Sequence, residues 1–320
     1  MNIVVTGGCG YVGSVLVPTL LEHGHDVTVI DCLWYGNHLD KHPKLTVMED
    51  DIRLAPIPKG TETIIHLAAV SNDPSVAAFP KLTWETNVLG LYTVLENAIE
   101  VGVKQFIFAS SGSVYGISDA LHVTETIKPL PMSDYNKTKI ISESVLFSRR
   151  YDDLMRTALR PGTVCGWSPR LRLDVVANIF CHQAVGSGEI RVLGGEQVRP
   201  ILPIKDMVGA YLHCINKPGP MRGIYNVGKD SIEVRELAVR VATAATTIGL
   251  KVNLNLEPSN DQRSYRLNTT KIQDAGFRYI DTIEESCTDL MQKLVDTNYT
   301  SSINNYNAAR LGQIIGNTNE

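Results

Sequence analysis

Two short segments of the chain carry side chains that could exchange a proton with a hydroxyl group. The first is "YNKTK" (135–139), which places Tyr135 and Lys139 four residues apart and so on one face of a predicted helix. A free phenol has a pKa of about 10, too high for a base at neutral pH, but neighbouring cations lower it. Because such pairs are common on surfaces, their chemistry depends on the surrounding fold.

A serine-rich strand end offers a partner for that pair. The apolar run "QFIF" (105–108) predicts a strand, and "ASSGSVYG" (109–116) follows it directly. Ser110, Ser111 and Ser113 are either turn residues or groups that orient a reacting hydroxyl. The second interpretation requires a fold that brings this strand end beside the helix of Tyr135.

The segment "TGGCGYVGS" (6–14) predicts a dinucleotide site, since it follows the first strand and opens the first helix. Its glycines, Gly7, Gly10 and Gly13, let the chain turn sharply and let a pyrophosphate approach the backbone. Asp31 ends the second strand, where a carboxylate binds both ribose hydroxyls of NAD and repels the 2′-phosphate of NADP. No Arg or Lys follows until Lys41, which favours NAD.

With NAD in place, these groups define a reaction. The Lys139 ammonium and the oxidised nicotinamide would lower the pKa of Tyr135 into the working range of a base. Tyrosinate would take the proton of a substrate hydroxyl while hydride leaves the same carbon for NAD. A serine at the neighbouring strand end would orient that hydroxyl.

Alternation of apolar strands and helical patterns positions these residues. Strands are expected at 2–6, 26–31, 45–49, 63–69, 105–110 and 156–161, with helices near 11–23, 82–101 and 134–149. Uninterrupted Val/Ile-rich strands predict an α/β fold, a Rossmann-type doubly wound parallel sheet with a smaller α+β C-terminal substrate lobe. Such sheets bind ligands at the carboxyl ends of their strands.

The expected division is an NAD-binding domain at 1–165, a second lobe at 166–295 with some segments returning to the first domain, and a C-terminal tail at 296–320. The early part of this Asn/Ser-rich tail is expected to be mobile. Along the predicted sheet edge, Asp51 and Ile52 could flank an adenine, whereas His66 is expected to be a packed histidine.

Composition excludes several other classes of function. The chain has 320 residues and a formal charge of -4, so neither nucleic acid nor an anionic membrane surface is an expected partner. There is no bilayer-length apolar run and no signal-peptide pattern, which indicates a cytoplasmic protein. The six cysteines are scattered without CxxC pairs, so reduced thiols are expected and a metal site is not.

Seven motifs occur together in the order and spacing of one family. They are "TGGCGYVG" (6–13), "DDI" (50–52), "HLAA" (66–69), "TNVLG" (86–90), "SSGSVYG" (110–116), "YNKTK" (135–139) and "RPGTVCG" (160–166). The chain resembles the extended short-chain dehydrogenases/reductases, in particular the NAD-dependent sugar-nucleotide epimerase/dehydratase family. The resemblance implies tightly held NAD and a nucleoside-diphosphate sugar as substrate.

The resemblance also assigns residues. Ser111 falls on the family's catalytic Ser/Thr, Tyr135 on its base and Lys139 on its ribose-binding lysine. The expected cofactor-binding residues are Gly7, Gly10, Tyr11, Val12, Gly13, Asp31, Asp51, Ile52, Leu67, Ala68, Ala69, Asn87, Ser110, Tyr135, Lys139, Pro161 and Val164. The expected substrate-binding residues are Ser71, Asn72, Asp73, Ser111, Gly112, Ser113, Thr163, Asn178, Arg199, Arg263, Tyr265 and Arg266. Asp206 is expected to fix the helix that follows it.

The residues after Ser111 bear on the reaction. In this family, dehydration uses an Asp–Glu pair there and 3,5-epimerisation uses a cysteine, but this chain has Gly112 and Ser113. What remains is oxidation at sugar C4 and return of hydride, by a 4-epimerase or a 4-dehydrogenase/reductase of surface polysaccharide or nucleotide-sugar biosynthesis. A dehydratase or 5-epimerase stays open if Asp73 supplies the missing acid/base.

Two other classes of function are compatible with the same fold. A non-catalytic NAD-sensing regulatory protein is one alternative, although such proteins generally lose the Tyr or the Lys. An oxidoreductase for a non-nucleotide carbonyl is the other, and the Arg-bearing second lobe disfavours it. Helices matching 82–101 and 134–149 pack across a two-fold axis in the family, which implies a homodimer; packing within one chain explains the same pattern.

Overall fold

The computed structural model describes residues 1–118, 122–216, 221–259 and 264–317. Its strands are β1 (Asn2–Thr6), β2 (Asp26–Asp31), β3 (Leu45–Glu49), β4 (Thr63–His66), β5 (Gln105–Ala109), β6 (Met155–Pro161), β7 (Thr163–Cys165), β8 (Glu189–Leu193), β9 (Val198–Pro203), β10 (Gly223–Val227), β11 (Asp230–Glu233) and β12 (Asn253–Glu257). Its α-helices are α1 (Gly13–Glu22), α2 (Asp73–Ala78), α3 (Pro80–Trp84), α4 (Leu91–Glu100), α5 (Asp134–Leu146), α6 (Val176–Gly186), α7 (Ile204–Asn216), α8 (Val234–Thr247), α9 (Thr270–Asp274), α10 (Ile283–Asp296) and α11 (Asn307–Asn317).

The central layer is a seven-stranded sheet in the order β10-β6-β5-β4-β1-β2-β3. Every neighbouring pair in it is parallel. Strand residues such as Val5 and Ile65 are fully buried, as expected for a sheet covered on both faces. Strands β1 to β3 follow one another towards one edge of the sheet, and strands β4 to β6 follow one another towards the other edge. The strand order therefore reverses between β1 and β4, where sheets of this class bind ligands. The predicted fold class is confirmed.

The second half of the chain builds two smaller sheets, β11-β9-β7 and β12-β8. Helices α6, α8 and α10 pack against one another around a core that includes Phe180, Leu237 and Leu290. The chain also returns to the first layer, because β10 pairs with β6 and α7 packs on α1. No helix of the described ranges combines the length and apolar character needed to cross a bilayer.

Two segments differ from the sequence expectation. The helical pattern at 82–101 is divided into α3, a π-helical stretch (Glu85–Gly90) and α4. The early part of the tail, which was expected to be mobile, instead packs on the segment that follows β7. Tyr299 lies edge-on to Trp167 at 5.9 Å between ring centroids, and Asn305 Nδ2 donates a hydrogen bond to the Leu171 carbonyl. These contacts lead the chain into α11, which lies against α2.

Candidate active site

One cleft at the carboxyl ends of the central strands gathers nearly all residues expected to bind the cofactor. All of them except Asn87 line it. Asn87 is buried behind the wall, where its amide bonds both backbone groups of Val70 and the hydroxyl of Thr138. The cleft lining also includes side chains that the sequence analysis missed, namely Trp34, Tyr35, Arg170, Arg172, Met207, Tyr211 and Asn307.

The dinucleotide end of the cleft is fixed by backbone geometry. Gly7 has a φ of 71°, and a Cβ there would lie 2.6 Å from the backbone nitrogen of Ala68, so only glycine fits. The carboxylate of Asp31 accepts hydrogen bonds from the backbone N–H groups of Cys9 (3.0 Å) and Leu33 (2.9 Å). Both features suit NAD: a backbone free of side chains meets the pyrophosphate, and an oriented carboxylate meets the ribose.

The helix that carries the reacting groups starts beside this cleft. Ser133 caps α5 by accepting a hydrogen bond from the N–H of Asn136, and Tyr135 and Lys139 both line the cleft. Lys139 Nζ donates to the carbonyl of Ala109 at 2.7 Å and lies 5.8 Å from the centroid of the Tyr135 ring. Burial lowers the pKa of Lys139 to about 8.

Tyr135 is held as a neutral phenol when the cleft contains protein groups alone. Burial raises its pKa, while the positive charge of Arg172 and a hydrogen bond with Ser111 lower it, and the carboxylate of Asp73 raises it. Burial thus outweighs the opposing groups. A further positive charge in the cleft is required before this residue can work as a base near neutral pH.

A chain of hydroxyl groups orients Ser111. The oxygens of Ser111 and Ser113 lie 2.8 Å apart, and Ser113 Oγ donates to Asn136 Oδ1 at 2.5 Å. Since Ser113 has one hydroxyl hydrogen and gives it to Asn136, Ser111 donates to Ser113. In this arrangement Ser111 Oγ can accept from the neutral phenol of Tyr135, and the hydrogen bond that lowers the tyrosine pKa forms when Ser111 turns its hydrogen to the phenolate. The role of Asn136 was missed, although it lies inside the Tyr–Lys motif.

Behind Lys139, a buried ion pair joins α5 to the sheet. Arg160 on β6 and Glu143 on α5 are 3% and 5% exposed, and Arg160 Nη2 lies 2.6 Å from Glu143 Oε2. Ser110 donates to the same carboxylate. Glu143 also opposes the effect of burial on the pKa of Lys139. The pair therefore fixes the helix that carries the lysine and supplies negative charge one turn away from it.

Apart from Ser111, Gly112 and Ser113, the expected substrate residues fall into two groups. Ser71 lines the cleft, and its neighbours Asn72 and Asp73 are held at its edge: Asn72 Nδ2 donates to Asp174 (2.7 Å), and Asp73 accepts from Ser133 (2.6 Å). These contacts keep the loop before α2 beside the start of α5.

The second group bonds to the protein itself. Asn178 is fully buried and ties together Gly166, Tyr11 and Arg172. Arg199 and Arg266 donate to the carbonyls of Val198 and Ser231, Thr163 pairs with Ile201 within the β7–β9 ladder, and Tyr265 packs in a small core cluster. Arg263 lies outside the described residues.

Comparison with known proteins agrees with this geometry. The sequence model of the NAD dependent epimerase/dehydratase family matches residues 3–228. The chain belongs to this family. A UDP-glucose 4-epimerase of Corynebacterium glutamicum is 34% identical over 258 residues, which cover 74% of this chain and 78% of that protein. A UDP-glucose 4-epimerase of Lactobacillus helveticus is 27% identical and covers 85% of this chain and 89% of that protein.

Solved structures give the same picture. The UDP-glucose 4-epimerase of Thermotoga maritima with UDP-glucose matches 93% of this chain and 100% of its own, with a TM-score of 0.81 and 29% identity. The Thermus thermophilus UDP-glucose 4-epimerase with NAD matches 91% of this chain and 98% of its own, with a TM-score of 0.79 and 26% identity. The protein is therefore an NAD-dependent enzyme of the nucleotide-sugar epimerase/dehydratase family, and the family and cofactor predicted from sequence are confirmed.

Proposed function

We propose that this protein is a 4-epimerase of a nucleoside-diphosphate hexose. The observation that carries the proposal is the junction of β5 and α5. Tyr135 and Lys139 line the NAD cleft there, Ser111 bonds to Tyr135, and residues 110–118 contain no carboxylic acid. The relatives named UDP-glucose 4-epimerase support the same reaction.

In the proposed mechanism, each group has one task. Ser111 Oγ orients the C4 hydroxyl of the sugar, and the phenolate of Tyr135 accepts its proton. Bound NAD supplies a hydride acceptor and a positive charge. Lys139 adds the second cation that stabilises the phenolate, and Asn136 and Ser113 hold the Ser111 side chain in place. Because the single hydrogen of the C4 hydroxyl goes to Tyr135, the hydroxyl of Ser111 turns from Ser113 and donates to the C4 oxygen. Return of hydride and proton to C4 of a rotated sugar gives the epimer.

The space around Gly112 disfavours dehydration. A Cβ at this position would lie 2.9 Å from the carbonyl oxygen of Pro161 and 3.1 Å from Leu267 Cδ1. The backbone therefore excludes an aspartate where dehydratases of the family carry one. Ser113, the next residue, already donates its proton to Asn136. Neither position can protonate a leaving hydroxyl group.

Asp73 is the residue that would support the competing reaction. Its carboxylate is close enough to Tyr135 to raise the tyrosine pKa, although it accepts a hydrogen bond from Ser133. If Asp73 removed a proton from C5, the product would be a deoxy-ketosugar or a C5 epimer. Both products exchange the C5 hydrogen with solvent, whereas 4-epimerisation by hydride return does not.

The test is turnover in D₂O. The NAD-loaded protein is incubated with UDP-, dTDP-, GDP- and CDP-hexoses, and the products are analysed by NMR. A C4 epimer with no deuterium at C5 supports the proposal. Deuterium at C5, loss of water, or NADH formed in step with a ketosugar overturns it. Y135F should abolish turnover while Y92F, at an exposed tyrosine, should retain it; D73N should leave 4-epimerisation measurable.

A further inference from the structure

Arg170 is a buried cation with an unused donor in the cofactor cleft. It is 3% exposed, and its Nε has no hydrogen-bond partner among the described residues. Its Nη2 donates to Asn307 Oδ1 at 2.5 Å, and its Cζ lies 4.0 Å from the centroid of the Tyr35 ring. Burial lowers the pKa of this guanidinium to about 10, so the group is still charged at neutral pH.

The nearby carboxylates are engaged elsewhere. Asp174 lies 2.7 Å from Arg172 Nε and also accepts from Asn72 and from the backbone of Asn307. Asp31 accepts two backbone hydrogen bonds. Arg170 therefore makes no direct ion pair within the described parts of the chain. A buried charge without a partner is costly, which points to an anionic ligand on the cleft side of the guanidinium.

The position of Arg170 identifies the part of the ligand that carries this charge. Arg170 is within electrostatic reach of Asp31 and Tyr35, at the ribose end of the cleft. Arg172, two residues further on, is within reach of Tyr135 at the reacting end. The glycine turn that begins at Gly7 lines the same cleft. In a dinucleotide, the negative charge between the adenosine ribose and the nicotinamide is the diphosphate.

The arginine is held by the C-terminal helix. Asn307, the first residue of α11, receives Arg170 on its side-chain oxygen and donates from its nitrogen to the hydroxyl of Ser71 at 2.9 Å. Arg310, one turn later, donates to the carbonyl of Trp34 at 2.8 Å. Helix α11 thus connects the loop after β2 with the loop before α2, although it lies outside residues 3–228, which the family model matches.

We infer that Arg170 binds the diphosphate of NAD and that Asn307 positions it, so that the C-terminal helix completes the cofactor site. A guanidinium offers parallel N–H donors that match phosphate oxygens, and Nε is free for this use. The glycine turn alone would meet the phosphates with backbone N–H groups and no full positive charge. Asn307 is a positioning residue, since it touches the arginine and not the phosphates.

The test is the affinity of the full-length protein, stripped of NAD, for three ligands. NAD and ADP-ribose contain the diphosphate, and UDP, added to the NAD-loaded protein, probes the substrate site. R170M should weaken NAD and ADP-ribose binding by about 10- to 100-fold and leave UDP binding unchanged. R170K should lose less than R170M, and N307A should lose about 3- to 10-fold. R191M and N253A, at exposed positions of the β12–β8 sheet, are matched controls.

Three results would overturn the inference. Unchanged NAD affinity in R170M would show that the guanidinium has a structural role. If R170M fails to fold, unchanged NAD affinity in both R170K and N307A would show the same. Weaker UDP binding with intact NAD binding would assign the arginine to the substrate diphosphate. Tight NADP binding that depends on Arg170 more than NAD binding does would assign it to a 2′-phosphate.

Discussion

Replacing Lys139 by methionine should make the NAD-free protein more stable while abolishing its activity. Burial lowers the lysine pKa from 10.5 to about 8. At 1.36 kcal/mol for each pH unit, keeping the ammonium charged inside the fold at pH 7 costs about 3 kcal/mol. The variant also loses the hydrogen bond from Lys139 to the Ala109 carbonyl, which stabilises the wild-type fold by about 1 kcal/mol. K139M should therefore gain about 2 kcal/mol at pH 7.

The pH dependence of this gain distinguishes the explanation from better packing. Because the folded-state pKa lies below the unfolded one, the unfolded wild type binds the extra proton between about pH 8 and 10.5. Wild-type stability from this group is complete above that window and is lost as the pH falls through about 8. The advantage of K139M should thus shrink as the pH rises from 7 to 9.5.

The assay is urea unfolding of the NAD-stripped proteins at pH 7 and 9.5. Lys137→Met is the matched control, since Lys137 lies on the same helix with its side chain 49% exposed and paired with Asp134. This control should show no stabilisation and no pH-dependent difference from wild type. A K139M protein that is less stable than wild type at pH 7, or equally stabilised at both pH values, would refute the reasoning.

The remaining predictions concern residues near Ser111, Tyr135 and Lys139. S113A should lower kcat by about 10-fold at unchanged KM, because Ser111 loses the partner that holds its side chain beside Tyr135, while S144A on the exposed side of α5 should not. E143Q should destabilise the fold by about 3 to 5 kcal/mol in urea unfolding, because it leaves the Arg160 charge buried and unpaired. R172M should shift the rise of kcat with pH to higher pH, because it removes a charge that lowers the Tyr135 pKa; an unchanged profile would exclude that role.

Local spacing explains which site residues could be predicted from the sequence. The glycine turn, Asp31 and the Tyr135–Lys139 pair are each encoded within a few residues, so a strand or helix assignment is enough to place them on the cleft. The parallel sheet follows from the same alternation of elements. These features need no knowledge of how distant parts of the chain meet.

The residues that were missed depend on distant contacts. Arg170 was assigned no role from the sequence, and its partner Asn307 is 137 residues further along the chain. No local pattern relates the two. Contacts of this kind also decide what two of the expected substrate residues do. Asn178 and Arg266 have suitable chemistry, but backbone groups of the protein engage their side chains. The type of a side chain predicts its possible bonds, whereas tertiary packing decides which bonds it makes.

The electrostatics of the cleft tie the strength of the base to the state of the cofactor. With protein groups alone, Tyr135 is a neutral phenol because burial outweighs the effect of Arg172 and Ser111. Bound oxidised nicotinamide would add one positive charge, which would favour the Tyr135 phenolate when a proton has to be removed from the sugar. The reduced form would lack this charge, which would favour the Tyr135 phenol when the proton has to be returned. In a 4-epimerase both half-reactions use the same tyrosine, so a base whose pKa follows the charge of the cofactor suits each direction in turn.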